Sequence, residues 1–363
     1  MTTNPLLWTT AVPEDTGGHL AVLPDGRVLV SGRRFVAVVR PAGEIDWLVG
    51  STAGVIGAPV LLPDGHITRY EDGVLVTRDP GSGATVAGFD APGLTGVTAT
   101  GDGELLYDSR DGDGTPWLRC STADGAPEWS APLVGPPPSA PVVTDQVVVA
   151  DGPLLRGYDR AGEPLWIAGE GGFAAPRSAP GTVAGGTVRG GLVPLPDGLL
   201  LTELSTPSGA AFHVVDPGRR TVRPLGPALS VRAPAAVVDG RLALLGAAEE
   251  LEREQWLASV VLVETSGTVR WRHRLAAEPT ALLGVAGGLL VLASPPEDRW
   301  QRYHGWQDLT DQCFVRYLDG TGEPRWTWHP PAPLPYRPAA DPAGTCYVAA
   351  SGRLYALDGR RTV

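Results

Sequence analysis

The chain is 363 residues long, 43% apolar and 19% charged, which is enough apolar sequence for a large core. Its 48 glycines and 36 prolines weigh against long helices, because in a helix interior they cost roughly 1 and roughly 3 kcal/mol each. The net charge is −11 and all 29 basic residues are arginine, which excludes a general nucleic-acid-binding surface but leaves room for a local arginine cluster.

The N-terminal stretch Met1-Thr2-Thr3-Asn4-Pro5-Leu6-Leu7-Trp8 has no basic segment leading into an apolar one. Nowhere do about 18 apolar residues run together, so neither secretion nor a membrane span is expected. The three cysteines, Cys120, Cys313 and Cys346, are odd in number and widely spaced. That spacing argues against a disulfide framework or a cysteine zinc site and points to a cytoplasmic location with buried, inert thiols. Cys313, which borders an unusual loop, has a reactive role as its alternative.

Along the chain a Gly-x-x-x-Trp signature recurs as Gly43 to Trp47, Gly125 to Trp129, Gly162 to Trp166, Gly267 to Trp271 and Gly322 to Trp326. Each copy follows a short apolar strand such as Val36-Ala37-Val38-Val39, so the glycine sits in a turn and the tryptophan on the next strand. Upstream of each hairpin lies another, marked by turns such as Asp64-Gly65 and Asp239-Gly240, where Asp and Gly tolerate positive φ. Two hairpins make a unit of four strands, a to d. Two further units end at Phe89 and Leu225 in place of the tryptophan, and a last one lacks its fourth strand. Pro5 to Trp8, at the other end of the chain, supplies that strand. The expectation is an all-β, eight-bladed β-propeller of four-stranded blades forming one domain over residues 1–363, with the N-terminal strand completing the C-terminal blade.

The repeats Asp159-Arg160-Ala161-Gly162-Glu163-Pro164-Leu165-Trp166 and Asp319-Gly320-Thr321-Gly322-Glu323-Pro324-Arg325-Trp326 resemble the tryptophan-docking repeat of quinoprotein-like (PQQ-like repeat) propellers. The resemblance covers the whole chain and implies the fold, with each tryptophan stacked beside the peptide of the next blade. That family holds both quinone-dependent dehydrogenases and a non-catalytic lipoprotein of outer-membrane protein assembly. The dehydrogenases carry adjacent cysteines and a calcium set of Glu, Asn and Asp. No two cysteines adjoin here, so neither quinone nor calcium is carried over, and no cofactor or metal is expected.

In such a fold the b-to-c and d-to-a connections share one face. The a-to-b and c-to-d turns share the other and are short, as at Pro24-Asp25-Gly26, so that face reads as structural. Asp108 to Trp117, Glu203 to Gly209, Ala247 to Leu257 and Ser294 to Gln312 read as b-to-c loop insertions, and the Gly-rich connection from Ala168 to Gly190 joins them. The largest carries Asp298, Trp300, Tyr303, His304, Trp306 and Asp308, which together offer stacking surface and proton-transfer groups. Aligned on their Asp-Gly turns, the innermost strands start near His19, Arg337 and Thr280, with Arg189, Arg232 and Glu278 close in sequence. Arginines gathered at one mouth repel unless an anionic ligand, or salt bridges to loop acids, separate them. His273 and His329 follow strand d tryptophans and are expected on the same face.

These residues point first to a cytoplasmic, cofactor-independent enzyme of cyclase, lyase, isomerase or hydrolase type, acting on a small organic substrate, for which the arginines would suit an anionic group. Asp298, His304, Asp308, His273 and His329 would handle protons. Arg189, Arg232, Glu278, Arg337, His19, Trp300, Tyr303, Trp306 and Trp117 would bind substrate. The alternative is a non-catalytic scaffold whose loops grip a protein partner; neither nucleic acid nor membrane is expected as a partner.

Overall fold

The computed structural model describes residues 5–359, apart from positions 16, 52–54, 170–171, 176–186, 189–190, 207–208, 226–234, 252–254, 276, 278 and 295–312. Among the described residues there is no α-helix. The molecule is an eight-bladed β-propeller of four-stranded blades. Its contacts group it into two compact units, Ser51–Pro227 and Met1–Gly50 with Ala228–Val363.

In the unit over Ser51–Pro227, the second blade is formed by Val55–Leu61, Ile67–Glu71, Val74–Arg78 and Thr85–Asp90. The third is Val97–Ala99, Leu105–Arg110, Pro116–Ser121 and Pro127–Pro132, and the fourth Val142–Val143, Val147–Asp151, Leu154–Tyr158 and Pro164–Gly169. Gly172–Ala174 adds a short fifth strand to the fourth blade. The fifth blade has Leu200–Thr206, Gly209–Asp216 and Thr221–Pro224, with Thr187–Val188 and Val193–Pro194 both on the inner side of Leu200–Thr206.

The other unit holds the sixth blade, Ala235–Val238, Arg241–Leu251, Gln255–Val263 and Val269–Leu275, and the seventh, Pro279–Val285, Gly288–Ala293, Phe314–Asp319 and Pro324–Trp328. Its first blade is Gly18–Val22, Val28–Gly32, Phe35–Val39 and Ile45–Gly50. In the eighth, Ala339–Ala340, Thr345–Ala350 and Arg353–Asp358 are joined by Leu6–Ala11, which lies antiparallel to Arg353–Asp358 and pairs Thr9 with Tyr355.

The sequence pattern follows from this layering. Strands b and c lie between neighbouring sheets and are buried on both faces, so they read as unbroken apolar runs: every residue of Val28–Gly32 and of Phe35–Val39 is buried. The outermost strands alternate, as Leu6–Ala11 does. The cores are slabs between consecutive blades. Val28, Val30, Phe35 and Ala37 of the first blade pack on Tyr347, Ala349, Leu354 and Ala356 of the eighth. Leu106, Leu118 and Cys120 of the third pack on Val147, Val149 and Tyr158 of the fourth.

At the outer rim the Gly-x-x-x-Trp signature becomes a contact between blades. The Trp129 indole donates from Nε1 to the Arg160 carbonyl (2.9 Å), and Trp271 donates to the Gly320 carbonyl (3.1 Å). Each ring lies against the turn glycine of the following blade. A Cβ on Gly162 would sit 2.5 Å from Trp129, and one on Gly322 would sit 2.7 Å from Trp271. These glycines also hold φ of +82° and +86°, a region open to glycine at little cost. Phe89 packs on Gly125 in the same way but has no N–H to donate.

Three of the four expected loop insertions are elongated hairpins. Leu105–Arg110 and Pro116–Ser121 stay paired out to Arg110 and Pro116, around a turn in which Asp111 N–H donates to the Thr115 carbonyl. The fifth blade pairs Thr206 with Gly209, and the sixth pairs Leu251 with Gln255. Strand-forming residues continue through these segments, so added length went into ladder. The fourth, from Ser294, lies beyond position 294 outside the described residues.

Gly162→Ala is expected to cost about 2 kcal/mol of stability, read as a lower urea midpoint, since it introduces both a clash and a strained φ. Gly101→Ala, where an added Cβ meets nothing within 4 Å, should be near neutral. Deleting residues 1–12 tests whether the N-terminal strand holds the ring shut. The expected result is a lower melting temperature and aggregation through the bared Arg353–Asp358 edge; unchanged melting with a monodisperse product would refute closure.

Candidate functional site

Because consecutive strands run antiparallel, the b-to-c hairpins and d-to-a connections fall at one end of each blade. Carboxylates of strand b organise that end. In the third blade Asp108, 2% exposed, accepts from the backbone N–H of Thr95 (3.0 Å) and Gly96 (2.9 Å) and from Thr95 Oγ1 (2.8 Å). Burial, only partly offset by these hydrogen bonds, raises its pKa above the usual carboxylate range. In the fourth, Asp151 accepts from the N–H of Val134 (2.5 Å) and Gly135 (3.0 Å) and is paired with Arg156. In the second, Glu71 closes strand b, receives Ser51 Oγ (3.4 Å) and pairs with Arg69 (2.8 Å) and Arg78 (3.0 Å). Each carboxylate pins the connection entering its own blade.

These residues were not singled out from the sequence as clamps. Their signal was an acid at the end of strand b in the second and fourth units, as in Glu71-Asp72-Gly73 and Asp151-Gly152. Asp108 was read only as the start of an insertion.

Of the residues expected to form a site, Asp298, His304, Asp308, Trp300, Tyr303, Trp306, Arg189, Arg232 and Glu278 lie outside the described residues. The structure brings His19 and Arg337 together. Tyr336–Arg337 runs parallel to Gly18–Val22 and sets His19 opposite Arg337. Burial, and then the Arg337 charge, pull the His19 pKa down from 6.5 to about 4.

His273 lies within strand d of the sixth blade, its Nε2 3.4 Å from Arg316 of the seventh. Its pKa is lowered by burial and then by that guanidinium. His329 is exposed beyond strand d of the seventh blade, and its Nδ1 is 3.1 Å from the Cys313 carbonyl. Trp117 is half-buried on strand c of the third blade, with the Arg119 guanidinium 5.8 Å from its ring centroid. These three stand on different blades, and His273 faces a neighbouring sheet. The three thiols are buried, with pKa values pushed up to about 12 for Cys120, about 11 for Cys313 and about 12 for Cys346.

Among the described residues no group of three or more His, Cys, Asp or Glu side chains could hold a metal ion. A hollow of about 340 Å³ lies at the other end of the blades, on the face that read as structural. Asp239, Ala286 and Asp341 from the a-to-b turns of the sixth, seventh and eighth blades line it. The Asp341 carboxylate there accepts from Thr345 N–H (2.8 Å) and Tyr347 Oη (3.2 Å).

Residues 71–213 match the family model described as outer membrane protein assembly factor BamB. Among solved structures, BamB from Moraxella catarrhalis is similar over 100% of this chain and 99% of its own, with a TM-score of 0.67 and 13% identity. A chain in the crystal structure of the mitotic checkpoint complex gives 0.54 at 13% identity over 99% and 93%. The Dos1 propeller gives 0.60 at 10% identity over 99% and 97%. At such identities the likeness is one of fold. No curated protein matches the sequence.

The reading as a cytoplasmic small-molecule enzyme is corrected by the family match, whose description is an assembly factor. Physically, the described carboxylates of the b-to-c face, Glu71, Asp108 and Asp151, are engaged in holding backbone N–H groups and arginines, and Asp298 and Asp308, the carboxylates read from sequence as acid/base groups, lie outside the described residues.

For His19, the neutral form is favoured in the folded state, so its contribution is present above pH 6.5 and lost as pH falls toward about 4. Thermal melts across that window should show a steep fall in melting temperature for the native chain and a shallower one for His19→Gln. Identical slopes would contradict the assignment. The chain is thus an eight-bladed β-propeller consistent with the PQQ-like superfamily.

Proposed function

We propose that this chain is a non-catalytic interaction scaffold that grips a protein partner with its b-to-c face. The observation that carries the reading is the family match over residues 71–213, described as an assembly factor. The fold likeness to BamB along the whole chain agrees with it. The face itself supports it as well: paired hairpins projecting from a rigid sheet give a pre-ordered surface, which lowers the entropic cost of binding. In the 295–312 segment, Trp300, Tyr303 and Trp306 are the aromatic types that anchor interfaces, and Arg299 and Arg302 accompany them.

The two faces of one blade can be compared directly. Gly112 sits in the b-to-c turn of the third blade and Gly101 in its a-to-b turn, both exposed and with open space around them. With a photo-crosslinking amino acid at either position in cells of the source organism, a discrete protein adduct is expected from 112 and none from 101. Replacing Trp300, Tyr303 and Trp306 with Ala should reduce the adduct from 112 at least several-fold. Adducts from 101 alone, or from neither position, would overturn the proposal.

A further inference from the structure

The b-to-c turns of the first and eighth blades, whose sheets pack on each other, carry three arginines. Arg33 and Arg34 link Val28–Gly32 to Phe35–Val39, and Arg353 follows the turn at Ser351 and Gly352. Arg337 stands at the same end, where Tyr336–Arg337 pairs with the first residues of Gly18–Val22 and lies opposite His19. All four arginines are exposed, and His19 is partly buried. None of the four guanidinium groups has a hydrogen-bond or ion-pair partner among the described residues.

The described acids at this end of the two blades are Glu14 and Asp15. Asp15 Oδ2 accepts the backbone N–H of Arg34 (2.8 Å), and Glu14 lies beside Gly352. The opposite end of the first blade is built differently. There Arg27 pairs with Asp25 (2.7 Å) and Asp46 (2.8 Å), and Arg40 pairs with Asp46 (2.6 Å). Within one blade, then, the arginines of one end are matched by acids and those of the other are not.

Like charges gathered in one place repel, and an incoming opposite charge relieves the repulsion. On a chain with net charge −11 the unmatched arginines are a local reversal of sign, which attracts acidic groups and turns basic ones away. Guanidinium also binds carboxylate in bidentate fashion. Backbone pairs hold the turns in place, Ser31 with Val36 and Ala350 with Arg353, and the Val12 N–H donates to the Gly352 carbonyl (2.9 Å). A surface fixed in this way loses little freedom on binding.

We propose, resting on the reading of the b-to-c face as the gripping face, that its part on the first and eighth blades receives an acidic segment of the partner protein, whose carboxylates pair with Arg33, Arg34, Arg337 and Arg353.

The test uses the full chain and short labelled peptides of alternating Glu and Gly, alternating Arg and Gly, and alternating Gln and Gly, with phosphatidylglycerol vesicles alongside. The Glu peptide is expected to bind, to weaken as salt is raised, and to shift the His19 ring resonances, assigned with His19→Gln. Arg33→Ser/Arg34→Ser/Arg337→Ser/Arg353→Ser should weaken it at least tenfold with an unchanged melting temperature. Arg325→Ser, which breaks a pair with Asp319 at the other end of the seventh blade, should leave it unaltered. As a milder variant, Arg33→Glu/Arg34→Glu should weaken the Glu peptide and admit the Arg peptide. No binding of the Glu peptide, equal binding of the Gln peptide, equal binding by the arginine variants, unmoved His19 signals, or capture of the chain by the vesicles would each overturn the proposal. An adduct from position 112 without peptide binding sinks this inference and spares the scaffold reading; peptide binding without an adduct does the reverse.

Discussion

Where the docking pair is present, consecutive blades are held at their outer rims by an indole resting on a glycine, and much else in the structure depends on that contact. The glycine serves two ends at once. Its positive φ closes the c-to-d turn, and its missing side chain leaves room for the ring of the preceding blade. The indole N–H then satisfies a turn carbonyl that would otherwise face only solvent. A sheet of four strands has two faces and an open edge to manage, and a repeated contact of this kind lets one short sequence solve the same problem at successive seams.

The contact also explains where the repeat departs from itself. Trp166 turns inward, lies against Gly157 and donates to Gln146 Oε1 at 2.7 Å. The turn that follows it in sequence, from Asp216 to Thr221, has no Gly-x-x-x-Trp to receive it. Trp326 is 2% exposed, and its Nε1 has no partner among the described residues. The eighth blade, next in line, draws its strands c and d from opposite ends of the chain, so its rim turn is interrupted. Seams without the docking pair rely on packed slabs such as Leu290, Val315, Trp326, Val348 and Leu357.

The fold was legible because it is written several times over. Trp47, Trp129, Trp166, Trp271 and Trp326 mark strand d, and the apolar runs before them are buried on both faces, which is why they lack alternation. What could not be read was the ladder length beyond each blade. From sequence, Asp108 to Trp117 differs little as a loop or as a hairpin, because the same polar turn residues end both. The role of the acids was hidden for a related reason. Asp108 and Asp151 look like any loop carboxylate until the backbone N–H groups they meet are known, and those lie more than ten residues away in the chain. His19 and Arg337 lie still farther apart in sequence, and alignment of the repeats placed both at the inner strand.

In the eighth blade, Asp358 N–H donates to the Pro5 carbonyl at 2.8 Å, the same bond that Arg40 makes to Glu44 in the first blade and Asp319 to Glu323 in the seventh. The bond that closes a continuous turn in those blades here joins two distant parts of the chain, so the outer strand of the eighth blade is held to its neighbour by pairing alone, with no covalent turn between them.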